Sequence, residues 1–133
     1  MTGKTRPSLP TPGELSILNT LWMLGEGTVD DIVNHQKSRP NYKTTQTLLR
    51  IMEQKGFVQH RLCGRAFVFQ PCITRQRVAK RSLRRLLQEA FGGSPVQLLV
   101  NLLEARPATE DELSELESLI RKHKKERFPD RRP

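Results

Sequence analysis

The sequence has little of what a catalyst or a membrane protein needs. Its 133 residues contain no phosphate-cradling P-loop, no GxGxxG and no HExxH, and its histidines, His35, His60 and His123, fall in three different predicted elements. We therefore expect no enzymatic activity. Cysteine is scarce too. Cys63 and Cys72 lie nine positions apart on a predicted hairpin, beyond disulfide reach for an extended strand rising ~3.3 Å per residue. No CxxC or CxC pair offers thiolates to zinc or copper. Two free thiols in a reducing compartment are expected, with no metal and no cofactor. No apolar run approaches the ~20 residues of a membrane span, and the opening MTGKTRPSLP has no hydrophobic signal core, so a cytoplasmic protein without a membrane partner is expected. Aromatics make up 5% of the chain, mostly at apolar periodic positions, which disfavours an RNA-binding regulator that stacks bases on exposed rings.

What is present is positive charge, and it is unevenly placed. The net charge is +9, and residues 1–91 carry 15 basic and 6 acidic side chains whereas residues 92–133 carry 8 of each. A basic surface confined to the first two-thirds suits a polyanion such as nucleic acid. Only 35% of residues are hydrophobic, so a lone core is thin and burial through oligomerisation is expected.

The order of elements follows from local signals. Residues 1–10 read as a loose tail. Thr11, Pro12 and Glu14 form a capping box that opens a first helix with Leu15, Leu18, Leu21 and Trp22 as its buried stripe, stopped by Gly25 and Gly27. Thr28 caps a second, VDDIVNHQKS, which Arg39-Pro40 ends. The third, NYKTTQTLLRIMEQK, closes at Gly56. The period then switches to two: Val58, His60 and Leu62 alternate with Gln59 and Arg61, Cys63-Gly64 turns, and RAFVF returns. Three helices followed by a hairpin outline a winged helix-turn-helix.

Beyond Pro71 a long helix over residues 74–91 sets Ala79, Leu83, Leu86, Leu87 and Ala90 on one face and carries the cations Arg75, Arg77, Lys80, Arg81, Arg84 and Arg85. Ser94-Pro95 opens the nearly all-apolar VQLLVNLLEA, and Thr109 with Glu112 caps a last helix in which Leu113, Leu116 and Ile120 recur at spacings of three and four. These two apolar segments have no room on a small winged domain. We expect Leu98, Leu99, Leu102, Leu113, Leu116 and Ile120 to be buried between two copies. The acidic run EDELSELE at the start of the last helix complements the helix dipole rather than forming a carboxylate pair for catalysis.

On the third helix, at 100° per residue, Lys43, Thr47, Arg50 and Gln54 share one face with Thr44 beside them, opposite Leu48, Leu49 and Met52. Short hydroxyls and long cations are the residue types that reach base edges and phosphates. A plainer reading makes Thr44 the helix cap and Lys43 and Arg50 solvated cations.

From Leu9 to about Ile120 the chain resembles the penicillinase and methicillin-resistance repressors, whose relatives include copper-responsive repressors. The resemblance rests on Leu9, Glu14, Leu18 and Leu21-Trp22, on KTTQTLLRIMEQKGF, on GRAFVF, and on FGGS before the leucine-rich segment and the acidic-start final helix. It implies, as the pattern does independently, a mainly α fold with a small β-hairpin wing: a winged DNA-binding domain over residues 11–73 and a helical dimerisation domain over 74–125; residues 126–133 read as a flexible basic tail. It implies Lys43, Thr44 and Thr47 as contacts to a double-stranded DNA operator; on charge and location, Arg50 and the wing's Arg65 are expected on phosphates. It also implies a homodimeric repressor released by a sensor protease, in the setting of antibiotic resistance. Asn101-Leu102 stands where the resistance repressors are cut between Asn and Phe, so the match there is partial. The absence of any cysteine after Cys72 argues against copper sensing, and Tyr42 and Thr45 depart from the best-known members. The competing reading is a winged-helix protein-interaction module whose basic surface only aids solubility.

Overall fold

The structure, a computed structural model, describes residues 9–37 and 40–129. Most of the expected N-terminal tail, Ser38 and Arg39 at the expected end of the second helix, and residues 130–133 of the basic tail therefore lie outside the described residues. The elements run α1 (Pro12–Leu24), α2 (Val29–His35), α3 (Tyr42–Lys55), β1 (Val58–Cys63), β2 (Ala66–Pro71), α4 (Arg75–Phe91), α5 (Pro95–Ala105) and α6 (Glu110–Arg127). This is a winged helix followed by a helical region. The chain divides into two compact units, one ending at Arg85 and the other starting at Leu86, so the division falls inside α4.

In the first unit each helix starts where its cap dictates. Thr11 and Thr28 each complete a reciprocal capping box, with Glu14 and Asp31 respectively. Asn41 caps α3 by accepting from the Thr44 amide at 2.7 Å, so Thr44 is not the cap. Gly56 ends α3 at φ 85°, a conformation that costs glycine nothing. α2 is shorter than its pattern because Gln36 leaves the helix with its side chain turned inward, its amide nitrogen donating to Ser16 Oγ at 2.8 Å. β1 and β2 pair antiparallel from Val58↔Pro71 to Cys63↔Ala66. The connecting pair is therefore Gly64-Arg65 rather than Cys63-Gly64, with Gly64 at φ 65°. Gly27 does more than stop α1: it exchanges two backbone hydrogen bonds with Phe69, at 3.0 and 2.8 Å.

The core gathers Ile17, Leu18 and Leu21 of α1, Val29 and Ile32 of α2, Leu49 and Met52 of α3, then Phe57, Val58, Phe69, Ile73 and Val78. Ile17 belongs in the α1 stripe, whereas Leu15 and Trp22 are only partly buried against it. Two long-range polar links lock this unit. Buried Glu14 accepts from Lys55 Nζ at 2.9 and 3.1 Å, joining the start of α1 to the end of α3. The Trp22 indole N–H donates to the Ile73 carbonyl at 2.9 Å, while the Arg75 guanidinium lies 4.8 Å from the Trp22 ring centroid and donates to Asn19 Oδ1. Arg75 is thus committed to holding α4 on α1.

The second unit contains the end of α4, α5 and α6. Ser94 caps α5 by accepting from the Gln97 amide, and Thr109 with Glu112 boxes the start of α6. No residue of α5 or α6 is buried. Of the expected dimer residues, Leu98, Leu99 and Leu116 are half-buried and Leu102, Leu113 and Ile120 are exposed. α6 remains helical through Arg127, two residues into the stretch expected as a tail, because Lys124, Lys125 and Arg127 sit in its last turn, where the dipole favours cations.

Candidate nucleic-acid interface

α3 is held by its inner face and presents its outer one. Thr45, Leu49 and Met52 are fully buried, while Lys43, Thr44, Thr47, Arg50 and Gln54 are exposed. Asn41, Lys43, Thr44, Thr47 and Leu48 line a shallow open depression at the N-terminal half of the helix, the end from which a recognition helix reaches base edges. Since Asn41 does the capping, the Thr44 hydroxyl is left to face outward. Gln46 shares this exposed face and was not singled out in the sequence, although it lies three residues after Lys43 and four before Arg50. Thr45, one of the departures from the resembled family, points into the core and so differs in packing rather than on the exposed face of α3; Tyr42, the other, is exposed in the first turn.

The cations divide into engaged and available ones. Lys55 is tied to Glu14, and Arg61 grips Glu26 through two 2.9 Å hydrogen bonds that hold the Glu26 carboxyl below its ordinary range. Lys43, Arg50 and Arg65 are exposed and form no ion pair among the described residues. Arg65 occupies the tip of the wing, between the paired ends Cys63 and Ala66. Charge on α3 and charge on the wing tip are what a duplex would need from such a fold: phosphate contacts set position, and hydroxyl and amide groups read bases. Cys63 and Cys72 are both free thiols. Among the described residues no group of His, Cys, Asp and Glu could hold a metal ion, and no helix is long and apolar enough to cross a membrane.

A helix-turn-helix with its second helix exposed on the outside and a β-hairpin wing beside it defines the winged-helix class of DNA-binding regulators. Sequence comparison narrows the class. Residues 10–122 match the penicillinase repressor family, and the chain belongs to it, a family of DNA-binding transcriptional repressors. The chain is 24% identical over 113 residues to the penicillinase repressor of Bacillus licheniformis, covering 84% of this chain and 88% of that one. It is 20% identical over 111 residues to the methicillin resistance regulatory protein MecI of Staphylococcus aureus (strain N315), covering 82% and 90%. The same identity and coverage hold for the protein of that name from Staphylococcus epidermidis.

Proposed function

We propose that the protein is a homodimeric repressor that occupies an inverted-repeat operator, with Lys43, Thr44 and Thr47 reading the major groove and Arg50 and Arg65 gripping phosphates. The observation that carries this reading is the separation of faces on α3: its apolar side is consumed by the core, and its hydroxyl and cationic side is left uncovered. In this reading residues 11–73 bind DNA and residues 74–125 pair two copies through Leu98, Leu99, Leu102, Leu113, Leu116 and Ile120. Two-fold pairing sets the reading helices against half-sites about one turn of DNA apart, ~34 Å, or a multiple of it. By the names of its relatives, the genes it controls belong to defence against cell-wall antibiotics. A mobility-shift titration of the full chain on genomic fragments against competitor DNA tests the reading. Selective, salt-dependent shifts support it, and equal affinity for every fragment favours the protein-interaction module instead.

Release by a sensor protease is part of the same reading. The bond between Asn101 and Leu102 lies within α5, both side chains are exposed, and the Asn101 amide donates to the Gln97 carbonyl at 2.8 Å. That turn of helix must open before the bond enters a protease. Cleavage there detaches α6 and turns a bivalent binder into weak monovalent halves. Mass spectrometry of the protein from host cells exposed to a cell-wall antibiotic is expected to find a fragment ending at Asn101. An intact chain while target transcription rises contradicts proteolytic release.

A further inference from the structure

A cavity of about 440 Å³ lies between α1 and the end of α2, and it shares no lining residue with the depression on α3. That volume is within the range of small-molecule sites. Ser16, Asn19 and Thr20 line it from α1, and His35, Gln36 and Lys37 line it from the end of α2 and just beyond. Met23 is the one apolar side chain of the lining, and no carboxylate among the described residues belongs to it. Gln36 points to an occupant. It is 6% exposed, and its amide nitrogen donates to Ser16 Oγ at 2.8 Å while its buried Oε1 meets no partner among the described residues. Turning the amide over only moves the orphan, because the single Ser16 hydroxyl serves one of the two atoms. A buried amide used by half is an exception among folded proteins. The fold also fixes what the neighbouring groups have left to offer. Arg75 Nη1 donates to Asn19 Oδ1 at 2.9 Å, which leaves Asn19 Nδ2 as a donor. Thr20 Oγ1 gives its proton to the Ser16 carbonyl at 3.2 Å and keeps its lone pairs. His35 Nδ1 donates to the Asp31 carbonyl at 2.8 Å, so Nε2 is the ring atom that remains.

We propose that this cavity binds a small polyhydroxylated anion, a sugar acid or a polyol phosphate, with its anionic group on Lys37 and its hydroxyls on Gln36, Thr20, Asn19 and His35. The lining selects that class. Lys37 supplies the one permanent charge, and with no carboxylate opposing it the cavity favours an anion over a neutral or cationic ligand. Gln36 Oε1, Thr20 Oγ1 and His35 Nε2 accept while Asn19 Nδ2 donates, a mixture that suits hydroxyls because each hydroxyl does both. An apolar ligand would strand these groups without partners. The site goes beyond the DNA-binding reading and stands or falls without it.

The test titrates the full chain with gluconate and with inositol monophosphate, each beside its neutral counterpart, glucitol or inositol, and follows binding by calorimetry and by NMR of the backbone amides. At least one anion is expected to bind at millimolar concentration or below, the preferred one telling carboxylate from phosphate, and its neutral counterpart at least tenfold more weakly. The shifted amides are expected to cluster at residues 16–23 and 35–37. Lys37→Gln, a change at an exposed side chain, is expected to weaken the anion tenfold or more, toward the affinity of the neutral polyol. Gln36→Leu is expected to weaken anion and polyol alike. Four results overturn the inference: binding of neither anion, equal binding of the neutral counterpart, a Lys37→Gln variant that binds the anion as well as wild type, or amide shifts centred on Arg50 and Arg65, as general attraction to a basic surface would give. Should Gln36→Leu fail to fold, Lys37→Gln and the position of the shifted amides decide. No DNA enters these measurements, so their failure leaves the DNA-binding reading in place, and failure of operator binding leaves this inference in place.

Discussion

The first unit encloses a buried apolar core, whereas no described residue of the second is buried. Ile17, Leu18, Leu21, Ile32, Leu49 and Met52 are at most 1% exposed, whereas Val96, Leu102, Leu119 and Ile120 are 68%, 54%, 62% and 51% exposed. Both regions are rich in branched aliphatics at helical spacing, so hydrophobic content does not distinguish them. What differs is the geometry available to bury them. Three short helices and a hairpin can surround a centre, while α5 and α6 have too few neighbours within one chain. Each exposed large aliphatic side chain forgoes roughly 1.5 to 3 kcal/mol of burial. That deficit is what supports the proposed pairing of two copies.

Breaking the open region tests this most severely. Leu116→Asp is expected to leave the first unit folded, abolish the dimer in light scattering, and weaken operator binding by about a hundredfold or more as bivalency is lost. A monomeric wild type at micromolar concentration contradicts the pairing. The closed region should respond in another way, through stability that does not depend on protein concentration. Lys55→Met leaves the buried Glu14 carboxylate unpaired and is expected to cost about 2 kcal/mol in chemical denaturation, below the full value for a buried pair because Lys55 stays 29% exposed. Glu14→Gln should cost less, since the released ammonium can return to water.

On the exposed face of α3, Lys43→Ala and Thr47→Ala are each expected to weaken specific binding by ~1 to 3 kcal/mol without changing the denaturation midpoint. Unchanged operator affinity in both folded variants removes α3 from the reading role. The smallest effect concerns pH. The Thr28 amide lowers Asp31, the Thr109 amide and then Arg106 lower Glu112, and Arg61 lowers Glu26. Carboxyls lowered by folding add stability that is complete above their ordinary values of 3.8 and 4.5 and is lost as pH falls through the lower folded values. A shallow loss of stability below about pH 4.5 is expected, with the Glu26–Arg61 share fading in salt.

Local chemistry made much of the fold legible in advance. The boxes at Thr11 and Thr109, the cap at Thr28, the glycine ending α3 and the change of period at Val58 are each written in a few adjacent residues, although the reciprocal bond from Asp31 at the second cap was not read there. Contacts between distant residues were not legible. Glu14 was visible as a cap partner but not as the mate of Lys55, Gln36 gave no sign that it would turn inward and shorten α2, and Arg75 read as one cation among six rather than the one seated on Trp22. The same division holds at the interface. Periodicity alone placed Lys43, Thr47 and Arg50 on the outer face, while the role of Asn41 at the cap, which leaves Thr44 outward, depended on which of two neighbouring polar residues meets the amide. Arg65 was legible as a wing residue, and its place in the turn required the strand register.

The most direct test of the central claim is selection of duplexes from a randomised library by the full-length chain, followed by sequencing. The expected result is an enriched inverted repeat whose half-sites are centred about 34 Å apart or a multiple of it, with the half-site preference altered by Thr47→Ala. Enrichment of a single unrepeated element, or of nothing, contradicts it.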